Sequence, residues 1–207
     1  MKHRVITISR QFGSGGRELG KRLADILGYD YYDREIITAV AKEQGMNENY
    51  VENTLDNHGW RTIPITYRCS FANTATVNLE HIEILLKQNE VIKRVAKMGR
   101  NCIIVGRNAD VILEEYKPFN IFVCASTEAK VDRCLKRADD NERLTIREVE
   151  QNMRRIDKNR ARVRAIMTSA SWGKPESYHL TVNTTGKEIK EIAPIVANYA
   201  TSWFETE

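Results

Sequence analysis

Cysteine pairs and long apolar runs are both missing from this 207-residue sequence. Its four cysteines, Cys69, Cys102, Cys124 and Cys134, form no C-x-x-C motif, which indicates reduced thiols. No segment approaches the roughly 20 apolar residues of a membrane span. The opening residues, MKHRVITISR, hold no apolar stretch of signal-peptide length. We therefore expect a cytoplasmic protein with no membrane partner.

A strong charge of either sign is also absent. The net charge of +4 suits a small anionic ligand and does not require nucleic acid as a partner. Hydrophobic residues make up 42% of the chain and charged residues 29%, a balance that predicts a folded globular protein. Because the sequence also lacks internal repeats and a low-complexity linker, we expect one domain over residues 1–207.

Short apolar runs alternate with longer amphipathic segments along the chain. The runs RVITIS, YDYYD, NCIIVGR, FNIFVCAS and YHLTVNT predict five strands. A helical pattern follows each run, and such patterns cover residues 17–28, 78–98, 145–170 and 186–204. The pattern at 145–170 is compatible with one helix or with a broken one. This alternation predicts an α/β fold with a parallel central sheet and helices on both faces. In such sheets ligands bind beyond the carboxyl ends of the strands.

A glycine-rich turn joins the first strand to the first helix in ITISRQFGSGGRELGKRLAD. Gly13, Gly15 and Gly16 permit left-handed backbone angles, and successive N–H groups in such a turn bind anions together with the helix dipole. The cradle would extend from Gly13 to Glu18. A turn that only connects strand to helix is the alternative.

The turn differs from the usual phosphate loop, G-x-x-x-x-G-K-[ST], because Gly16 stands in the lysine position. Arg17 can supply the missing positive charge with bidentate geometry, and Lys21, one turn further along, is a second candidate. Ser14 is a weaker candidate for a hydroxyl contact to phosphate.

Basic residues are concentrated in RRIDKNRARVR, residues 154–164, where six of eleven are Lys or Arg. Helical spacing places Asp157, Arg160 and Arg164 on one face. Phosphoryl transfer needs several cations around the transferred group, which is what such a face offers. A solvated helix face and a nucleic-acid-binding helix are the alternatives, and the lack of interleaved aromatics and the low net charge weigh against the second.

Two more arginines lie at or directly after strand ends. Arg34 follows Asp33 after the second strand, and Arg107 follows Gly106 after the third. An arginine in that position meets an anion at the sheet edge or forms a structural ion pair, with Asp33 or Asp110 as the partner.

Taken together, these segments resemble the cytidylate kinase-like proteins of the P-loop kinase superfamily over nearly the whole chain. The resemblance is carried by the glycine turn, YYDREI, IIVGRNADVIL, IFVCAS with EAKVDR, RIDKNRAR and WGKPESYHLTVNT. In bacterial cytidylate kinases an arginine of a G-R-D segment binds the phosphate of the nucleoside monophosphate, and Arg107 of GRN matches it. Their lid carries D-x-x-R, which Asp157 and Arg160 match.

The chain departs from that family pattern at several positions. The loop lysine is replaced by Gly16-Arg17, and Asn108 replaces an aspartate. YYDREI lacks an arginine further along the next helix, so Arg34 is its candidate substitute. Val163 and Arg164 stand where related lids tend to carry tyrosines.

The resemblance implies a three-layer P-loop kinase fold that transfers the γ-phosphate of ATP, with Mg²⁺, to CMP or dCMP. A monophosphate-binding insertion is expected at 34–77 and a lid at 139–175. The remaining expectations concern single residues. Arg17 would bind the β/γ oxygens, and Arg34 and Arg107 would bind the acceptor phosphate. Arg160, with Arg164 or Lys158, would bind the transferring group. Asp157 would orient an arginine or touch the acceptor, and Asp33 would hold Mg²⁺ through water or accept a proton. A different small acceptor and a regulator without transfer activity are the alternatives.

Overall fold

The computed structural model describes residues 3–33, 79–138 and 145–206. The whole of the expected 34–77 insertion, with Arg34 and Cys69, therefore lies outside the described residues, as do residues 139–144 of the expected lid. The single-domain assignment and the bounds of insertion and lid stay predictions.

The described residues contain one parallel sheet of five strands in the order β2-β3-β1-β4-β5. The strands are β1 (Val5–Arg10), β2 (Asp30–Tyr32), β3 (Cys102–Val105), β4 (Phe119–Cys124) and β5 (Leu180–Asn183). The central strand β1 pairs with β3 on one side, Ile8 opposite Val105, and with β4 on the other, Ser9 opposite Phe122. Because every pair is parallel, the carboxyl ends of the strands meet at one edge.

Six α-helices surround this sheet in the described part of the chain. They are α1 (Gly16–Leu27), α2 (Leu79–Lys97), α3 (Ala109–Ile112), α4 (Thr127–Leu135), α5 (Ile146–Met167) and α6 (Ile189–Glu205). Two 3₁₀ turns lie at Glu114–Tyr116 and Pro175–Ser177. None of these helices is both long and apolar enough to cross a membrane.

The two faces of the sheet carry separate apolar layers because side chains alternate along each strand. On one face, Ile6 and Ile8 of β1 and Ile103 of β3 lie in a cluster with residues of α1 and α6. On the other, Val5 and Ile104 join residues of α2 and α3. The predicted α/β architecture with helices on both faces is therefore confirmed.

The basic segment is one continuous helix, α5, rather than two broken pieces. Its start is fixed by a capping box, in which the Thr145 hydroxyl accepts from the Glu148 N–H and the Glu148 carboxylate accepts from the Thr145 N–H. Val149 and Met153 of α5 are buried against α4 in a third apolar cluster, with Phe12 of the glycine turn packed against it. The helix that carries the arginines is thus packed next to that turn.

Candidate phosphate-binding site

The turn between β1 and α1 requires glycine at two positions. Gly13 and Gly15 have φ of 74° and 83°, in the left-handed region that L side chains rarely adopt. Space is also short, because a Cβ on Gly15 would lie 2.6 Å from Cδ1 of Ile189 and one on Gly13 would lie 3.0 Å from Sγ of Cys134. The local sequence therefore folds into this turn only with glycines there.

The N-terminus of α1 opens directly onto the turn. Its N-cap residue is Gly15, and no side chain among the described residues caps the helix there. Ser14 is fully buried, and its hydroxyl donates to the Gln11 carbonyl at 2.8 Å instead of reaching outward. The first N–H groups of α1, including those of Arg17 and Glu18, are consequently available to an anion and add to the helix dipole.

Two residues distant in sequence hold the turn from outside. Arg133 of α4 donates through Nη1 to the Gly13 carbonyl at 2.8 Å, and the buried Thr184 hydroxyl donates to the Ser14 carbonyl at 2.7 Å. These bonds fix two peptide planes of the turn. Sequence reasoning missed both residues, and no spacing could have identified them because they lie 120 and 170 residues from their partners.

Arg17 and Asp33 form an ion pair that joins the start of α1 to the end of β2. Nη2 and Nε of Arg17 lie 2.6 and 2.8 Å from Oδ2 of the buried Asp33 carboxylate. The Tyr31 hydroxyl adds bonds of 3.3 Å to the Arg17 carbonyl and 3.5 Å to Asp33. Burial, followed by the Asp33 charge, raises the pKa of Tyr31, so this hydroxyl stays protonated and can donate.

The two other charged candidates on α1 bond to nearby side chains. Glu18 pairs with Arg22 at 2.9 Å and with Arg137 at 2.5 Å. Lys21 pairs with Asp25 at 2.9 Å. What Glu18 offers to an anion is therefore its main-chain N–H.

Asp157 and Arg160 share one face of α5, as their three-residue spacing predicted, and they connect this helix to the glycine turn. Oδ1 of Asp157 accepts from the Phe12 N–H and from Nη1 of Arg160, both at 2.9 Å. Arg160 also donates to the carbonyl of Arg10, at the end of β1, at 3.0 Å. Burial raises the pKa of Asp157, while Arg160 opposes that shift. The exposed Lys158 lies on the same helix.

Arg164 is placed differently from Arg160. Its buried guanidinium binds Asp110 at the start of α3, with Nη1 2.5 Å from Oδ2, and donates through Nε to the Ala170 carbonyl at 3.1 Å. Its carbon Cζ lies 5.4 Å from the centre of the Tyr178 ring. The structure therefore uses Arg164 to fasten the end of α5 to the core.

The turn after β3 has three consecutive residues with positive φ. Gly106, Arg107 and Asn108 have φ of 85°, 60° and 51°. A non-glycine residue in this region costs on the order of 1–3 kcal/mol, and such strain is typical of functional sites. Arg107 is half-buried here, and its suggested partner Asp110 is bound to Arg164.

Arg10 is the residue at this edge that sequence reasoning missed. It ends the central strand β1, and its side chain extends towards the turn after β3. Burial, followed by the Arg160 charge, lowers the pKa of Arg10; Arg107 acts in the same direction, and Asp33 opposes it. Its position at the end of an apolar strand is the signal that had singled out Arg107.

Comparison with solved structures identifies proteins of the same fold. An uncharacterized protein from Eubacterium ventriosum superposes with a TM-score of 0.71 at 21% identity, covering 97% of this chain and 99% of that one. Shikimate kinases from Acinetobacter baumannii, in complex with shikimate, and from Bacteroides thetaiotaomicron give TM-scores of 0.53 and 0.54 at 13% and 12% identity. These cover 97% and 95% of this chain and 94% and 97% of the other chains, and they show the P-loop kinase fold.

No match was found among curated proteins. The sequence model of the cytidylate kinase-like family matches residues 5–186. This range includes the glycine turn, the turn after β3 and all of α5. This chain belongs to the cytidylate kinase-like family.

Proposed function

We propose that this protein is an ATP-dependent nucleoside monophosphate kinase that converts CMP or dCMP to the diphosphate. The observation that carries the proposal is the convergence of an uncapped helix N-terminus with arginines from other segments. The Arg10 side chain, at the end of β1, lies against Gly106 in the turn after β3, and Arg160 of α5 donates to the Arg10 carbonyl at 3.0 Å. Arginines from β1 and α5 therefore lie at the edge of the sheet where the glycine turn begins. Several guanidinium groups around one anion-binding turn are what phosphoryl transfer needs.

The described residues fit a nucleoside triphosphate with magnesium. The glycine turn presents N–H groups without a side-chain cap, which suits phosphate oxygens. No group of three or more His, Cys, Asp or Glu is arranged for a metal ion within the described part of the chain. Magnesium in kinases needs only one or two carboxylates beside phosphate oxygens and water, and Asp33, whose Oδ2 is bound by Arg17, is the candidate carboxylate. ATP would supply the phosphoryl group, and Mg²⁺ would neutralise its oxygens.

Each residue then has a distinct task. The N–H groups from Gly13 to Glu18 hold the β-phosphate, and Arg107 holds the acceptor phosphate; the same role for Arg34 and the participation of Lys158 stay predictions. Arg160, oriented by Asp157, stabilises the charge on the transferred group. The bond from the γ-phosphorus to ADP breaks as the bond to an acceptor phosphate oxygen forms, and no proton must leave an ionised phosphate.

Arg164 is a positioning residue in this proposal. Its ion pair with Asp110 holds the C-terminal part of α5, and Asp157 and Arg160 on the same helix reach the glycine turn. An α5 held in this way keeps water from the transferred group, so that hydrolysis does not compete with transfer.

The choice of a cytidine monophosphate comes from the family. A small acceptor with a hydroxyl group is the second candidate, and one observation favours it. Asp33 is a buried carboxylate directly after β2, beside Arg17 and the Tyr31 hydroxyl. A hydroxyl acceptor must lose a proton during transfer, and such a carboxylate can accept it.

The test is a panel of nucleoside monophosphates and small hydroxyl acceptors with ATP and Mg²⁺, read out as ADP release and by mass of the product. We expect CMP or dCMP to give the fastest turnover. Arg160→Ala should lower kcat about 10³-fold, as loss of a charge-stabilising arginine does in phosphoryl transfer. Arg162→Ala is the matched control, because Arg162 is an exposed arginine two positions away on the same helix.

Each other outcome has a defined meaning. If only a hydroxyl compound is phosphorylated, the acceptor is that compound and not a nucleoside monophosphate. ATP binding without turnover of any acceptor would favour the regulator, and absence of ATP binding by folded protein would refute the proposal. Equal loss in Arg160→Ala and Arg162→Ala would remove the specific role of Arg160.

A further inference from the structure

The space next to Gly16 is occupied by the side chain of Arg10. Gly16 stands where the usual phosphate loop carries its lysine. A Cβ atom on Gly16 would lie 2.6 Å from Cβ and 3.0 Å from Cγ of Arg10. Such contacts leave no room for a side chain at position 16, so a lysine there is incompatible with Arg10 as it lies. The two positions compete for one volume.

From Gly16 the Arg10 side chain continues towards the turn after β3. A Cβ on Gly106 would lie 1.8 Å from Nη1 and 2.9 Å from Cζ of Arg10. The guanidinium therefore lies against the main chain of Gly106, beside Arg107. Two glycines from turns 90 residues apart (Gly16 and Gly106) leave the space through which this one side chain passes.

The N–H groups of the Arg10 guanidinium are available as hydrogen-bond donors. Among the described residues no carboxylate lies within ion-pair distance of it, and no hydrogen bond from it is present. Arg17, which the sequence suggested as the substitute for lysine, instead directs Nε and Nη2 to Asp33. The charges of Arg160 and Arg107 repel that of Arg10, while Asp33 attracts it. A partly buried guanidinium with free donors, close to two other arginines, is an arrangement that an incoming polyanion stabilises.

We infer that Arg10 replaces the phosphate-loop lysine and binds the triphosphate oxygens. The cation thus comes from the last residue of the central strand rather than from the start of the helix. The planar guanidinium can donate two parallel hydrogen bonds to phosphate, which a lysine ammonium cannot. This inference rests on the proposed kinase function and identifies the group that holds its nucleotide.

The first test removes the charge with Arg10→Met. ATP affinity, measured by titration calorimetry with Mg²⁺, should fall about 10- to 100-fold, since bonds to charged groups are the strong ones. Thermal unfolding of the apoprotein should be unchanged or shifted upward, because the repulsion of Arg10 by Arg160 and Arg107 is lost. Arg10→Lys should keep part of the affinity. Arg4→Ala is the matched control, since Arg4 precedes the same strand and lies over the Phe204 ring.

The second test moves the cation back. The double variant Arg10→Gly with Gly16→Lys restores the G-x-x-x-x-G-K part of the common loop. We expect it to bind ATP at least tenfold more tightly than Arg10→Met. Gly16→Lys alone should bind poorly, because Arg10 fills the space it needs. A folded double variant that binds ATP as weakly as Arg10→Met would overturn the inference.

The failure of this inference is distinguishable from that of the proposed function. If the wild type binds and uses ATP while Arg10→Met stays within twofold of it, Arg10 is not the substitute and the kinase function stands. A loss in Arg17→Met that is absent in Arg10→Met would return the role to Arg17. If the folded wild type binds no ATP, both proposals are refuted.

Discussion

Breaking the Asp110–Arg164 ion pair should destabilise the protein more than breaking any exposed pair on the same helix. The two side chains are only 4% and 3% exposed, and their closest atoms are 2.5 Å apart. Asp110→Asn keeps the shape but leaves the Arg164 charge buried without its anion. Loss of one partner of such a pair costs about 3–5 kcal/mol.

That magnitude is a large part of a total stability of about 5–15 kcal/mol. For a chain of this size, each kcal/mol corresponds to a shift in Tm of about 2–4 °C. We therefore expect Asp110→Asn to lower Tm by about 6–20 °C. Because Oδ1 of Asp110 is buried without a hydrogen bond among the described residues, the pair itself is not ideal. Asp110→Leu with Arg164→Met should consequently recover much of the loss.

Urea unfolding at pH 7, followed by circular dichroism, gives the free energy for each variant, and a double-mutant cycle isolates the coupling. Glu150→Gln is the matched control. Glu150 pairs with Arg154 at 3.1 Å on α5, but these side chains are 33% and 77% exposed. Exposed pairs contribute about 0–1 kcal/mol. If Asp110→Asn lowers the free energy of unfolding no more than Glu150→Gln does, the reasoning is refuted and the Asp110–Arg164 pair does not stabilise the position of α5.

Two further predictions concern single positions at the sheet. Gly106→Ala should destabilise the protein by about 1–3 kcal/mol in urea unfolding and also weaken ATP binding, because its φ is 85° and a methyl group there displaces the Arg10 guanidinium. Gly99→Ala is the control with a similar φ of 71° and open space, so it should show strain alone, and equal ATP affinity in both variants would contradict the claim. Cys102 should react with iodoacetamide only after unfolding, since burial raises its pKa to about 12 and leaves a thiolate fraction of about 10⁻⁴ at pH 8. Peptide mass spectrometry checks this, and native labelling as fast as that of the half-buried Cys124 would be the contrary result.

Local patterns in the sequence were sufficient to predict the α/β architecture. The runs RVITIS, NCIIVGR and FNIFVCAS form the inner strands β1, β3 and β4, because a strand buried on both faces needs a continuous apolar segment. The runs YDYYD and YHLTVNT form the edge strands β2 and β5. The first helix ends at Gly28, whose φ of 67° is the left-handed cap that glycine permits. Helical spacing likewise placed Asp157 and Arg160 side by side, since residues three apart share a helix face.

Such local patterns could not predict the contacts between segments that are distant in sequence. Spacing put Arg164 on the same face as Arg160, but the burial of Arg164 depends on Asp110, which lies 54 residues away in sequence. The carbonyls of the glycine turn are held by Arg133 and Thr184 from other elements. The sequence did show that the lysine position holds glycine, yet only the packing of Gly16 against Arg10 gives a reason for it.

The route of the Arg10 side chain also ties the evolution of two positions together. While an arginine ends the central strand, residue 16 can carry no side chain without moving it. A relative with a small residue at position 10 would lose that restriction at position 16, whereas a φ of 85° would still favour glycine at position 106. Substitutions at positions 10 and 16 should therefore be inherited as a pair, with a lysine admitted at position 16 only in lineages that have given up the arginine.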